Sequence, residues 1–191
     1  MKVIAVNGSP RKRGNTYMSL SRVCSVLKEE GISSEIIQLS GKKAQGCTAC
    51  YKCFSRADGR CHGRRDDLNS VIERMMAADG ILLGSPVYFG SLTPELKALI
   101  DRAGLVTRAN GHLLNRKVGA AVAAVRRQGA LQTFNQINQF FLINNMIVPG
   151  SSYWNLAIGR QPGEVENDEE GMSTLDTLGK NMAWLMKKID Q

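Results

Sequence analysis

Four short apolar runs, at residues 3–6, 81–83, 118–125 and 146–148, show no alternation of apolar and polar side chains, and each is followed within a few residues by Gly, Pro or Ser. A strand that is apolar on both sides has to be covered on both sides, the condition of a parallel sheet between two helical layers. Helical stripes lie between the runs. Leu20, Val23, Cys24 and Leu27 recur at helical spacing before Gly31, which makes Cys24 a core residue. Leu68, Val71, Ile72, Met75 and Met76 follow Asp66 and Asp67, acids suited to a helix start. Thr93 and Pro94 read as the N-cap and first residue of a helix carrying Leu96, Leu99, Ile100 and Ala103, and a long segment, 105–117, then separates it from the fourth strand. Phe134, Ile137 and Phe141 mark a further helix. Leu175, Leu178, Met182, Leu185 and Ile189 mark the last, with Lys187 and Lys188 at its C-terminus. With the mixed stretch 34–39 as a second strand, five strands alternate with helices. Right-handed crossovers then predict an α/β fold, a doubly wound five-stranded parallel sheet with helices on both faces.

The 191 residues, 43% hydrophobic and 22% charged, suffice for one sizeable core, so a single domain over 1–191 is expected. The one long segment without hydrophobic period runs from residue 40 to 65, and 41–65 reads as an inserted loop of the kind that carries function. No apolar run approaches the roughly 20 residues of a membrane span. The opening MKVIAVNGSP starts directly on a strand, without the charged and hydrophobic regions of a signal peptide. A cytoplasmic protein without membrane contact is expected.

The inserted loop holds four of the five cysteines, Cys47, Cys50, Cys53 and Cys61. A reducing compartment disfavours stable disulfides, leaving a metal centre, redox chemistry or free thiols. The formal net charge is +8, and its distribution is local: residues 41–65 contain seven cations, Lys42, Lys43, Lys52, Arg56, Arg60, Arg64 and Arg65, against Asp58 alone. Arg11, Lys12 and Arg13 form a second cluster, and an acidic group lies at residues 164–170. Charge gathered on two loops fits an anion site or an acidic partner better than duplex nucleic acid.

Between the first strand and its helix stands Asn7-Gly8-Ser9-Pro10-Arg11-Lys12-Arg13-Gly14-Asn15-Thr16. A polar, Gly-containing loop that opens a helix turns backbone N–H groups and the positive helix end toward one point, where an anion belongs. Ser9, Asn15 and Thr16 can donate hydrogen bonds, and Arg11 can offer its fork to phosphate oxygens. The loop lacks both the dinucleotide G-x-G-x-x-G and the Gly-Lys-Ser/Thr of triphosphate loops, so a single terminal phosphate matches it best. The third strand delivers Pro86-Val87-Tyr88-Phe89-Gly90, and the fourth Arg126-Arg127-Gln128-Gly129, to the same sheet edge. Tyr88 and Phe89 can cover a flat ring at the switch point of a doubly wound sheet.

These stretches, GSPRKRGNT, SPVYFG and the cysteine-rich loop between them, resemble the iron-sulfur flavoproteins, a branch of the NADPH-dependent FMN reductase family with a flavodoxin-like fold. The resemblance covers nearly the whole chain. It implies FMN, with phosphate on Ser9, Arg11, Asn15 and Thr16, Gly14 also among the cofactor-binding residues, and the ring system against residues 86–90, near 126–129. It also implies a [4Fe-4S] cluster on Cys47, Cys50, Cys53 and Cys61, the last after a gap of seven residues. Three cysteines at successive x2 spacings can wrap a cubane that a fourth closes, whereas zinc more often uses two separated C-x2-C pairs. His62 reads as an ordinary loop histidine rather than a replacement ligand. In the branch, electrons pass between NAD(P)H or a reduced ferredoxin and a small-molecule acceptor through FMN, with no catalytic acid or base required. The resemblance further implies a homodimer or homotetramer with the flavin near a subunit interface. Two other readings stand beside it: an electron carrier without nicotinamide activity that docks an acidic ferredoxin on the basic loop, and a zinc-stabilised basic module for nucleic acid.

Overall fold

The computed structural model describes residues 1–189. Five strands, β1 (Lys2–Asn7), β2 (Ser33–Gln38), β3 (Gly80–Pro86), β4 (Val118–Val125) and β5 (Leu156–Ile158), form one sheet in the order β2-β1-β3-β4-β5, with every pair parallel. That is the flavodoxin-like order. Successive residues of a strand face opposite sides, which accounts for the unalternated runs. Ile4, Val6, Ile81, Leu83 and Ala121 join one buried cluster, while Val3, Ala5, Leu82, Ala120 and Val122 join the other.

The helices are α1 (Asn15–Glu29), α2 (Lys52–Arg56), α3 (Leu68–Ala77), α4 (Pro94–Ala109), α5 (Ala130–Ile143) and α6 (Glu169–Ile189), with a 3-10 turn at Glu164–Asn167. α3, α4 and α5 cover the first cluster, and α1 and α6 the second. Cys24 packs half-buried against the second cluster, and burial pushes its thiol up, as befits a core thiol. No helix among the described residues is long and apolar enough to cross a membrane.

Three expectations are corrected. Residues 146–148 are not the fifth strand: Ile147 makes a single bridge to Val118, and Pro149 and Gly150 then end the pairing. The fifth strand is Leu156–Ile158, pairing with Ala123, Ala124 and Val125; three residues are too few to show an apolar run. The long segment expected at 105–117 begins as helix, because Val106 and Thr107 continue the buried stripe of α4, and the loop occupies only 110–117. Asp66 does not serve α3 chiefly as an anion facing the helix dipole. Its carboxylate is fully buried against Arg102 of α4, and only Oδ1 turns to the helix, accepting from Leu68 N at 3.2 Å.

Thr93 behaves as expected and does more. Its hydroxyl accepts from Leu96 N, capping α4, and donates to Gly8 O at 2.8 Å, while Thr93 N donates to the Ser85 hydroxyl. One buried side chain thus ties the loop after β1 to the loop after β3 at the carboxyl edge of the sheet.

Candidate flavin and cysteine sites

The loop after β1 is shaped by its own polar groups. Ser9 N donates to Asn7 Oδ1 at 3.0 Å, Arg11 N donates to the Ser9 hydroxyl oxygen at 3.1 Å, and Gln38 Nε2 donates to Ser9 O at 2.6 Å. The loop therefore enters α1 already folded. Beside it lies a cavity lined by Ser9, Arg11, Asn15, Thr16, Pro86, Val87, Tyr88 and Arg126, all anticipated, together with Ala124, Gly159 and Arg160, which were not. Its charged lining residues are Arg11, Arg126 and Arg160, with no carboxylate among them. An anionic ligand at an open helix N-terminus is what such a lining selects.

Gly14, Phe89, Gly90, Arg127, Gln128 and Gly129 are not part of that lining. Phe89 and Gly90 have φ of 48° and 76°, forming a tight turn between the bridged Tyr88 and Ser91 that leaves the Phe89 ring wholly exposed. Gly14 stands before α1 against Arg11, and Gly129 packs against Val87 and Gly90. Asn15 is partly committed elsewhere: its amide donates to Gly159 O at 3.0 Å and its oxygen accepts from Gly163 N at 2.8 Å. This tie brings the Gly159-Arg160 loop into the site. A side chain at Gly159 would meet Val165 N and Asn15 Nδ2 within 3 Å, so only glycine lets the segments close. Both follow directly on β5, a place the sequence would have signalled only if that three-residue strand had been read in it.

The four loop cysteines line one second cavity, together with His62, Gly63 and, from α4, Arg102, Leu105 and Val106. Among the described residues no three His, Cys, Asp or Glu side chains sit close enough together for a metal ion as they stand. The donor set, four thiols lining one cavity, is of the kind that holds an iron-sulfur cluster through thiolates.

Local geometry holds three of the four cysteines. The Cys61 backbone is clamped by Asn69, whose Oδ1 accepts from Cys61 N at 2.8 Å and whose Nδ2 donates to Cys61 O at 3.0 Å. Gly63 lies against Thr48 and Cys50, where a Cβ would stand 3.0 Å from the Cys50 sulfur. Cys53 enters on the short helix α2, and burial pushes its thiol up. The exposed Cys50 thiol is lowered by the Lys52 N–H and the Thr48 hydroxyl, which favours the thiolate that binds metals. Both ring nitrogens of His62 are engaged, Nε2 with Asp58 at 2.9 Å and Nδ1 with Arg56 at 3.1 Å. It is a loop histidine with partners of its own.

The model of the NADPH-dependent FMN reductase family matches residues 1–161. An iron-sulfur flavoprotein of Methanocaldococcus jannaschii is 41% identical over 196 aligned residues, covering 99% of each chain. The chain belongs to the iron-sulfur flavoprotein branch of the NADPH-dependent FMN reductase family. Another member, an iron-sulfur flavoprotein of Methanosarcina thermophila, is 35% identical over all of this chain and 98% of its own length. Among solved structures, RosB with a bound 8-demethyl-8-formylriboflavin 5'-phosphate shares the family's fold at a TM-score of 0.76 and 17% identity, covering 100% of this chain and 80% of that one. As a member of the family the chain is a flavoprotein oxidoreductase, and the three stretches whose residues suggested the branch line two cavities in its structure.

Proposed function

We propose that the chain binds one FMN in the Ser9 to Arg160 cavity and one [4Fe-4S] cluster on Cys47, Cys50, Cys53 and Cys61, and passes electrons between a reduced ferredoxin or NAD(P)H and a small-molecule acceptor. The observation that carries this reading is that the four thiols line one cavity while a separate cavity at the sheet edge offers phosphate donors and cations. Bound FMN would supply chemistry in one- or two-electron steps, and the cluster in single-electron steps. The protein's own part is placement. Ser9, Thr16 and Arg11 would hold the phosphate, Pro86 to Tyr88 would flank the ring system, and Arg126 and Arg160 would present donors to its polar groups. Arg102 lies nine residues beyond the Thr93 cap, about 13 Å along α4 at 1.5 Å per residue. That offset within one chain favours an assembly in which a partner chain brings its cysteine cavity to the flavin.

Anaerobic purification followed by flavin release, mass identification and metal analysis tests both cofactors at once. FMN at one per chain is expected; FAD, or no flavin after reconstitution, overturns the first half. Arg11→Ala removes a charge-assisted contact worth about 1.5–3 kcal/mol. FMN affinity measured by fluorescence quenching should fall about 10-fold or more, and unchanged affinity would show that Arg11 faces solvent.

The assembly is at least a homodimer. The exposed rings of Phe89, Tyr153, Trp154 and Trp184 are apolar surface that association would cover. Light scattering of the FMN-bound protein at micromolar concentration should give at least twice the chain mass, and a monomer contradicts the proposal.

A further inference from the structure

The cysteine cavity has one wall that does not belong to its loop. Arg102 projects from the middle of α4, and its side chain is completely shielded from solvent. Its Nε donates to the Cys61 sulfur at 3.2 Å. Its Nη1 donates to Gln45 O at 3.2 Å and to Asp66 Oδ2 at 2.5 Å, thereby joining the two ends of the cysteine loop. The other terminal nitrogen, Nη2, is buried without a hydrogen-bond partner. A guanidinium carries five N–H donors, and leaving charged donors unpaired in the interior is costly. Asp66 takes only the Nη1 donor of the guanidinium, its oxygens accepting besides from Gln45 N at 3.1 Å and Leu68 N at 3.2 Å.

We propose that Arg102 is the positioning and potential-setting residue of the cysteine cavity: it orients the Cys61 sulfur through Nε and directs its remaining donors and positive charge at the sulfur-rich anionic group the cavity holds. This rests on the cluster reading given above. Hydrogen bonds to the sulfurs and local net charge are among the factors that set the potential of such a group. A buried cation beside it favours the reduced, more negative form, and Asp66 opposes this from the other side of the guanidinium. Arg102 is thus a device that both closes the loop and makes the centre easier to reduce.

The two charges give opposite predictions, which separates this role from that of a simple loop staple. Anaerobically prepared parent, Arg102→Gln, Arg102→Lys and Asp66→Asn proteins would be compared for iron and sulfide content, potential by EPR-monitored redox titration, and EPR g-values. Arg102→Gln should weaken one-electron reduction at least tenfold, a shift of about 59 mV to more negative potential. Arg102→Lys should restore part of the potential while altering the g-values, because it keeps the charge and loses the Nε contact. Asp66→Asn should move the potential upward. Should Arg102→Gln fail to retain iron, Asp66→Asn and Arg102→Lys still decide the matter. A staple predicts loss of iron in Arg102→Gln and Asp66→Asn alike with no shift in the centre that remains, and that result overturns the proposal. So do unchanged potential and g-values in any iron-bearing Arg102 variant. A parent protein without iron would instead sink the underlying cluster reading.

Discussion

Anaerobically prepared Cys50→Ser protein is expected to lose its iron and sulfide entirely while keeping FMN. The parent should carry about four iron and four sulfide per chain, as a cubane on four thiolates requires. Replacing sulfur by oxygen removes a soft ligand from a position whose thiolate is favoured by its surroundings, the Lys52 N–H and the Thr48 hydroxyl. FMN should stay because none of residues 41–65 lines the cavity between Ser9 and Arg160. Colorimetric iron and sulfide assays alongside flavin release measure both at once. Delivery of electrons from a reduced ferredoxin should then fail, whereas any direct hydride transfer from NAD(P)H to the flavin should survive. Cys24→Ser, altered in the core of the opposite face, should leave the iron content untouched. One tightly held zinc and no iron in the parent would overturn the assignment, and equal iron loss in Cys24→Ser would mean that the wrong thiols were chosen.

The second large effect concerns stability. Asp66→Ala should destabilise the fold by about 3–5 kcal/mol, because it leaves the Arg102 guanidinium buried without its counter-charge. Both side chains of the pair are fully buried, so solvent neither screens the interaction nor rescues the orphaned cation. Adding Arg102→Met should recover much of the loss, since replacing both members of a buried pair is far cheaper than removing one. Urea unfolding in the iron-free, FMN-bound Cys50→Ser background reads this without interference from the cluster. A double variant as unstable as Asp66→Ala alone would show that the pair is not the cause. The pH dependence has a definite sign. Burial opposes ionisation of Asp66, yet the hydrogen bonds from Arg102, Leu68 N and Gln45 N prevail and hold its carboxyl below the usual range. Its contribution is therefore complete above the unfolded-state value of about 4 and is lost as pH falls through the lower folded-state value. The stability gap between parent and Asp66→Ala should narrow only in that acidic window.

The residues that announced the sites differ from those that complete them, for reasons particular to each. Ser9, Arg11 and Thr16 were legible as cavity lining because a strand, a glycine and a helix start follow one another in the chain, so a local pattern brings them together. Pro86, Val87, Tyr88 and Arg126 were legible through topology, since loops after neighbouring parallel strands must meet. Gly159 and Arg160 were not. They follow a three-residue strand whose Leu156 and Ile158 are only partly covered, and the apolar run at 146–148 was the stronger signal for a fifth strand. Phe89 read as a ring cover from its place in the loop after the third strand; in the turn, at a φ of 48°, its ring is exposed in the single chain.

The order of elements, the parallel sheet, the polar loop after β1 and the four thiols were determined by the sequence itself, because each depends on residues close together in the chain or on a period that burial imposes. Arg102 shows what only the tertiary structure could decide. In the sequence it is one cation at the position after Asp101 on a helix otherwise read by its apolar stripe. Its meaning depends on contacts 36, 41 and 57 residues away, with Asp66, Cys61 and Gln45. Burial turns a charge that would be incidental in water into a strong local field, since the low-dielectric interior neither screens it nor supplies other partners. Long-range packing, rather than residue type, gives Arg102 its place at the cysteine cavity.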